Sequence, residues 1–351
     1  MIRIGIVGLG FMGKMHFRCY NSLKNVEIIA ICDTDASQLK DTSGTAGNIP
    51  GAEDDLDLSN ISLYSDLPRM LSNEKLDAVS IASPTFLHAS QTIESLKAGQ
   101  HVFCEKPMAL NSRDCQKMIE VGQKSGKMLQ IGHCIRFWPE YVKAKEIINS
   151  QKYGKVLAAT FQRLSLTPTW SWDNCFLNGK RSGGAMLDLH IHDADYVHYV
   201  FGMPKEVFSR GVIGPSQDYD HCITQYLYDD EEETPRAKVI SAEGGWIMAP
   251  DFGFEMSFKI MLEEATLIYS SAQKLTEEHP STLKICSKGG ETIFQEVPKG
   301  DGYYFEIKHF IDLISGKSVP SVITPEQSGN SVKIIEAEKE SIRTKKIVSL
   351  Q

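Results

Sequence analysis

No two of the eight cysteines stand in a C-x-x-C pair, so neither a zinc ribbon nor a thioredoxin-like redox motif is written into the chain. Scattered at Cys19, Cys32, Cys104, Cys115, Cys134, Cys175, Cys222 and Cys286, they read as reduced, mostly buried thiols of a cytoplasmic protein. An excess of positive charge is also missing. The formal net charge is −8, which argues against a general phosphate-backbone binder and leaves nucleic acid off the expected partners. No apolar run approaches a membrane span, so no membrane partner is expected. The apolar start Ile2 to Val7 is too short, and too soon broken by Gly8, to read as a signal peptide. Repeats and low-complexity tracts are absent. What remains has the composition of an ordinary globular protein, 42% hydrophobic and 23% charged. Its 351 residues predict two domains.

Glycine is placed with purpose near the start. Ile2, Ile4, Ile6 and Val7 form a β-branched run suited to a strand buried on both faces. It leads into Gly8-Leu9-Gly10-Phe11-Met12-Gly13, and helix-like sequence follows from Lys14. Strand, G-x-G-x-x-G and helix together seat a pyrophosphate on a helix N-terminus. Gly8 allows the tight turn, Gly10 the approach of phosphate, and Gly13 the close packing of helix on strand. Phe11 and Met12 sit inside the same cofactor-binding turn. A second strand, Val26–Cys32, ends at Asp33, where an acid binds adenosine ribose hydroxyls or, more plainly, caps a helix after the strand. An acid repels a 2′-phosphate and no Arg follows, so NAD is expected over NADP.

Further strands are predicted at Leu76–Ala82, His101–Cys104 and Lys127–Ile131. The first ends in Ser83-Pro84, with His88 expected to open a helix. The second ends in Glu105-Lys106-Pro107, at the sheet edge that lines a ligand crevice; an exposed ion pair before a turn is the plainer alternative. Glu53, Asp54, Asp55 and Asp57 are taken as a solvated loop. They lack the spacing of a calcium loop.

The densest cluster of chemistry-bearing residues is Gly183-Gly184-Ala185-Met186-Leu187-Asp188-Leu189-His190-Ile191-His192-Asp193-Ala194-Asp195. Residues four apart on a helix share a face. Asp188 is therefore expected behind His192, with Asp195 one turn on. His190 falls roughly 200° round from Asp188, so the cluster cannot converge on one ion and no metal is expected. A carboxylate behind an imidazole is a usual way to build a general base.

These motifs, in this order, resemble the Gfo/Idh/MocA oxidoreductases, specifically the inositol dehydrogenase-like branch. The resemblance runs along almost the whole chain, and Glu105-Lys106-Pro107 joined to Asp188-x-x-x-His192 is its most specific part. It implies an α/β protein: a Rossmann dinucleotide-binding domain over residues 1–124, then a substrate and oligomerisation domain over 125–351 with a large, mostly antiparallel sheet. The open face of that sheet would make a homodimer or homotetramer. By the same resemblance Lys106 hydrogen-bonds the reacting oxygen, His192 is the general acid/base, Asp188 is its partner, and Pro107 follows a cis peptide. Ser83, Pro84, His88, Glu105 and Lys106 join the cofactor site. His190 replaces the small residue common in relatives, and it either contacts substrate or packs structurally.

Between the two domains, Arg136 is expected either on substrate or cofactor or in a junction salt bridge. Trp170 and Trp172 either stack on substrate or wedge a loop onto the core. The acidic run Asp229 to Glu233 reads as a hairpin loop. Strands are predicted through 205–271, an amphipathic helix at Tyr303–Ile314, and a capped helix opening at Thr324-Pro325-Glu326-Gln327. The function expected is NAD-dependent interconversion of a secondary alcohol and a ketone on a sugar, polyol or inositol. A redox-neutral, NAD-using glycoside-modifying enzyme and a non-catalytic sugar sensor are the alternatives.

Overall fold

The computed structural model describes residues 1–40, 56–228, 238–272 and 283–350. Glu53 to Asp55 and the acidic run 229–233 lie outside the described residues. The chain divides into two compact units, the first made of Met1–Cys134, Trp170–Cys175 and Gly302–Val332, the second of the remainder. This differs from a single cut after residue 124. The strand at 129–132 completes the first sheet, and a late helix returns to pack on it.

The first unit is built on six parallel strands: β1 (Ile2–Val7), β2 (Val26–Cys32), β3 (Ser62–Tyr64), β4 (Ala78–Ile81), β5 (His101–Glu105) and β6 (Leu129–Gly132). Their order is β3-β2-β1-β4-β5-β6, the doubly wound arrangement whose crevice opens at the carboxyl ends of the strands. β4 is buried along its whole length, as parallel strands covered on both faces must be. The connecting helices are α1 (Phe11–Asn21), α2 (Leu67–Asn73), α3 (Thr85–Lys97) and α4 (Ser112–Ser125). Asp66 and Asn111 cap α2 and α4 by accepting backbone N–H groups of Arg69 and Asp114, each cap being worth about 1 kcal/mol. α3 begins at Thr85, so His88 sits one turn inside it rather than at its start.

The second unit carries α5 (Pro139–Ser150), α6 (Gly179–Ser182) and α7 (Ile191–Phe201) against a nine-stranded sheet. Its strands are β7 (Val156–Leu166), β8 (Glu206–Ile213), β9 (Tyr219–Leu227), β10 (Val239–Met248), β11 (Phe254–Leu262), β12 (Ala265–Ser270), β13 (Leu283–Ser287), β14 (Thr292–Gln295) and β15 (Val348–Ser349). The order is β14-β13-β12-β11-β7-β10-β9-β8-β15, antiparallel at every pairing except β10 with β7. Alternation along β9 buries Asp220, Cys222, Thr224 and Tyr226 and turns Ile223 and Gln225 outward.

α8 (Gly302–Ile314) then packs Ile307, Phe310 and Ile311 with Ile4, Tyr20 and Phe103 of the first unit. α9 (Pro325–Thr344) follows. Its capping box is reciprocal, with Gln327 N–H on Thr324 Oγ1 and Thr324 N–H on Gln327 Oε1.

Candidate active site

In the first unit the glycine turn has the shape its spacing predicts. Gly8 adopts φ +89°, and a Cβ there would lie 2.8 Å from the Ala82 and Ser83 backbone. A Cβ on Gly13 would lie 1.9 Å from the Gly8 carbonyl oxygen, whereas one on Gly10 would meet nothing within 4 Å. The turn is thus closed against the sheet and open at Gly10. Gly10 is the N-cap of α1 and supplies no side-chain cap, which leaves the helix N-terminus to an anionic ligand. Phe11 and Met12 are half-buried on the first turn of α1. Asp33 takes the Leu9 N–H on Oδ2 at 2.7 Å and the Asp35 N–H on Oδ1 at 2.8 Å. Its carboxylate is fixed at the end of β2 with lone pairs left for ribose hydroxyls, so the residues fit a dinucleotide.

Beside this turn lies a second fixed structure. Lys106 is half-buried where β5 ends, and its bond to Pro107 is cis. Glu105 is buried; its Oε1 meets His16 Nε2 at 2.9 Å, and its Oε2 accepts the Lys106 N–H at 3.2 Å. The other nitrogen of His16 lies 2.9 Å from Ser80 Oγ. His88 Nδ1 lies 2.8 Å from the Pro107 carbonyl and Nε2 lies 2.8 Å from the Ser83 carbonyl. The Glu105-Lys106-Pro107 turn is therefore held from two sides by two buried histidines. Ser83 and Pro84 are half-buried, and Pro84 is the N-cap of α3.

In the second unit, Met186–His190 forms a π-helical turn that continues into α7. The extra residue per turn changes the phase that uniform α-helical spacing predicts, and π turns recur at functional sites. From Ser182 to Val197 every residue is buried except half-buried Asp188. The least buried of the others are Leu189 and His192, each 8% exposed. Asp188 is thus the one residue of this segment that is not buried.

The remaining polar residues of that segment are fully buried, and the expectation that Asp195 follows on the same face is corrected. Asp195 is fully buried and receives Arg136 Nε and Nη2, both at 2.8 Å. The Arg136 guanidinium also stacks 4.4 Å from the Tyr199 ring centroid. Arg136 is 1% exposed, and its salt bridge to Asp195 lies within the second unit rather than at a junction. Asp193 is likewise buried and takes Arg163 Nε at 2.8 Å. His190 is fully buried with Nε2 3.2 Å from Glu338 Oε2, so it packs inside the second unit. Burial opposes charge on that imidazole, but the neighbouring Cys222 and Glu338 prevail and hold its pKa well above the usual histidine value.

Trp170 is half-buried. Trp172 is 44% exposed and donates from Nε1 to Asp35 Oδ2 at 3.1 Å. That bond ties Trp172 to Asp35, two residues beyond Asp33 at the carboxyl end of β2. Sequence reading weighed it only for substrate stacking or loop packing. The His16–Glu105 contact and the His190–Glu338 pair also escaped it, because 89 and 148 residues separate the partners.

Comparison with known proteins adds independent findings. Residues 2–133 match the Gfo/Idh/MocA model described as an oxidoreductase family with an NAD-binding Rossmann fold. Residues 141–268 match the Gfo/Idh/MocA C-terminal domain. The 2,7-anhydro-N-acetylneuraminate hydratase of Mediterraneibacter gnavus is 32% identical over 59% of this chain and 51% of its own length. The myo-inositol 2-dehydrogenase of Thermotoga maritima is 31% identical over 63% of this chain and 64% of its own. The chain spans about half the length of the first curated relatives it matches. The structure of the WlbA dehydrogenase from Bordetella pertussis, in complex with NADH and UDP-GlcNAcA, superposes with a TM-score of 0.78 at 20% identity, covering 100% of this chain and 99% of that one.

Proposed function

The chain belongs to the Gfo/Idh/MocA oxidoreductase family, and from that premise we propose that it is an NAD-dependent dehydrogenase of a secondary alcohol on a sugar, polyol or inositol. The observation that carries the reading is the pair of Asp188, half-buried in a segment otherwise buried, and His192, 8% exposed four residues on.

When bound, the nicotinamide supplies the hydride acceptor. His192 takes the proton of the reacting hydroxyl, or returns it in the reverse direction. Asp188 orients the imidazole and offsets its charge. By the family resemblance Lys106, on a turn fixed by Glu105 and His88, is the proposed hydrogen-bond donor to the reacting oxygen, stabilising alkoxide character as it develops. Asp33 accepts from the ribose hydroxyls and disfavours a 2′-phosphate, which supports NAD over NADP. The Gly8–Gly13 turn takes the pyrophosphate. The active chain is assigned to a homo-oligomer. Its contact is the outer sheet face, where Ile223 and Val239 are 51% and 60% exposed. The cytoplasm, where NAD and free thiols coexist, is the assigned compartment.

The similarity to a relative named as a hydratase supports a second reading, in which bound NAD is used transiently and the net reaction is redox-neutral. A panel of polyols, inositols and aldoses with NAD or NADP, read at the absorbance of the reduced cofactor, tests both. Accumulation of NADH on one substrate, abolished in His192→Ala and Lys106→Ala variants that still bind NAD, is the result expected. Product formation without NADH supports the second reading, and undiminished turnover in either variant overturns the assignment of that residue.

A further inference from the structure

Beneath the π-helical turn, His190, Cys222 and Glu338 come together from three elements: the turn itself, β9 and α9. Their ligand atoms all lie within 4.8 Å of one another, and all three side chains are buried. His190 Nε2 faces Glu338 Oε2 at 3.2 Å and the Tyr226 hydroxyl at 3.4 Å. One N–H cannot serve several acceptors at once. Among the described residues neither oxygen of Glu338 has a hydrogen bond of good geometry, its contacts being the His190 ring and the neighbouring Tyr226, and His190 Nδ1 has none either. A buried carboxylate left in that condition costs several kcal/mol, and a lone imidazolium nearby offsets this poorly unless the geometry is good. Room for the ring is built in. Gly244 stands opposite on β10, where a Cβ would lie 2.6 Å from His190 Nδ1.

We propose that His190, Cys222 and Glu338 bind one divalent metal ion of the zinc type, in a closed structural site that fastens the turn before His192 to β9 and α9. The chemistry of the set favours it. Imidazole, thiolate and carboxylate are the three side-chain ligands of protein zinc, and bound atoms stand roughly 3–4 Å apart around the ion. A thiolate and a carboxylate together neutralise a divalent cation, so the filled site carries no net charge into the core. The Tyr226 hydroxyl provides a further oxygen beside the ring. Complete burial leaves no open position for a substrate, which marks the role as structural rather than catalytic. Sequence reading set metal aside because Asp188, His190, His192, Asp193 and Asp195 cannot meet at one point. Two of the three partners proposed here lie 32 and 148 residues downstream of His190.

The test uses the purified full chain. Elemental analysis is expected to give about one zinc per chain after expression in zinc-supplemented medium. Removal with a chelator is expected to lower the melting temperature, and zinc to restore it. Cobalt added to the stripped protein is expected to give a thiolate-to-cobalt charge-transfer band with tetrahedral visible bands. Cys222→Ser, checked for folding by circular dichroism, is expected to lose the charge-transfer band. If that variant does not fold, Glu338→Gln serves instead, with its visible bands shifted from those of the wild type. A folded wild-type chain without stoichiometric zinc and without the cobalt band overturns the proposal. So does a cobalt band retained in folded Cys222→Ser, which would assign the ion to another thiol.

Discussion

His16 Nε2 meets Glu105 Oε1 at 2.9 Å, and the other oxygen of that carboxylate accepts the Lys106 N–H. A residue on the first helix thereby sets the backbone from which the proposed oxygen donor projects. His16 touches neither substrate nor cofactor in this reading and acts as a positioning residue. Losing a hydrogen bond to a charged group costs roughly 1.5–3 kcal/mol. If that cost falls on Lys106, turnover in His16→Ala drops by about ten- to a hundredfold. Binding of NAD, followed by fluorescence quenching, should change far less. A fall in melting temperature with kcat unchanged would reduce the contact to a purely structural one.

His88 supports the same turn by a different route, because its two ring nitrogens face two carbonyl oxygens, of Pro107 and Ser83. Burial is the largest influence and holds the imidazole below its ordinary 6.5, against the pull of the carbonyls and of Glu105. A folded-state pKa below that of the unfolded chain means the unfolded chain takes the proton first. The stability His88 contributes is therefore present above 6.5 and lost as pH falls through the folded value. Thermal unfolding of wild type and His88→Phe should show a wild-type advantage at about pH 7.5 that narrows toward about pH 5.5. An advantage that widens on acidification would mean that the native ring carries both protons.

How much of this was legible in the sequence follows the distance over which each signal acts. The Gly8–Gly13 turn and the capping box at Thr324 are local, and their geometry is dictated by neighbours in the chain. The phase of the segment from Met186 to His192 was not legible, because uniform α-helical spacing does not foresee the π turn at Met186–His190. Asp195, expected on one face with Asp188, is instead fully buried against Arg136. The partners of Arg136, Arg163 and His190 were illegible for another reason. A buried charge advertises nothing along the sequence, and its counter-ion is chosen by tertiary packing. Trp172 falls in the same class, since its bond to Asp35 spans 137 residues.

Trp172 and Asp33 together bear on cofactor choice. Asp33 is held by two backbone N–H groups, and Trp172 is tethered beside it through Asp35. Replacing Asp33 with Ser removes the charge that repels a 2′-phosphate. Close charge pairs near a protein surface are worth on the order of a few kcal/mol, so the ratio of kcat/KM for NAD over NADP should fall by about tenfold or more. Trp172→Ala should raise KM for NAD by about three- to tenfold, with kcat preserved, if the indole lies against the adenosine half. Steady-state kinetics with both cofactors decides these outcomes. An unchanged preference in Asp33→Ser would remove the ribose assignment.

The Arg136–Asp195 pair separates structure from catalysis in the second unit. Both side chains are at most 1% exposed, and two 2.8 Å contacts join them. Breaking a buried pair by removing one partner strands the other charge and costs roughly 3–5 kcal/mol. Replacing both with apolar residues of similar volume removes the stranded charge and is often neutral or better. Arg136→Met and Asp195→Leu alone should therefore each lower stability sharply in denaturant titrations, while the double variant recovers most of it. Turnover should recover in parallel, because His192 rather than Arg136 is assigned to the reacting oxygen. A double variant that is stable yet inactive would return Arg136 to the substrate. Asp188 and His192 would then be only part of the site.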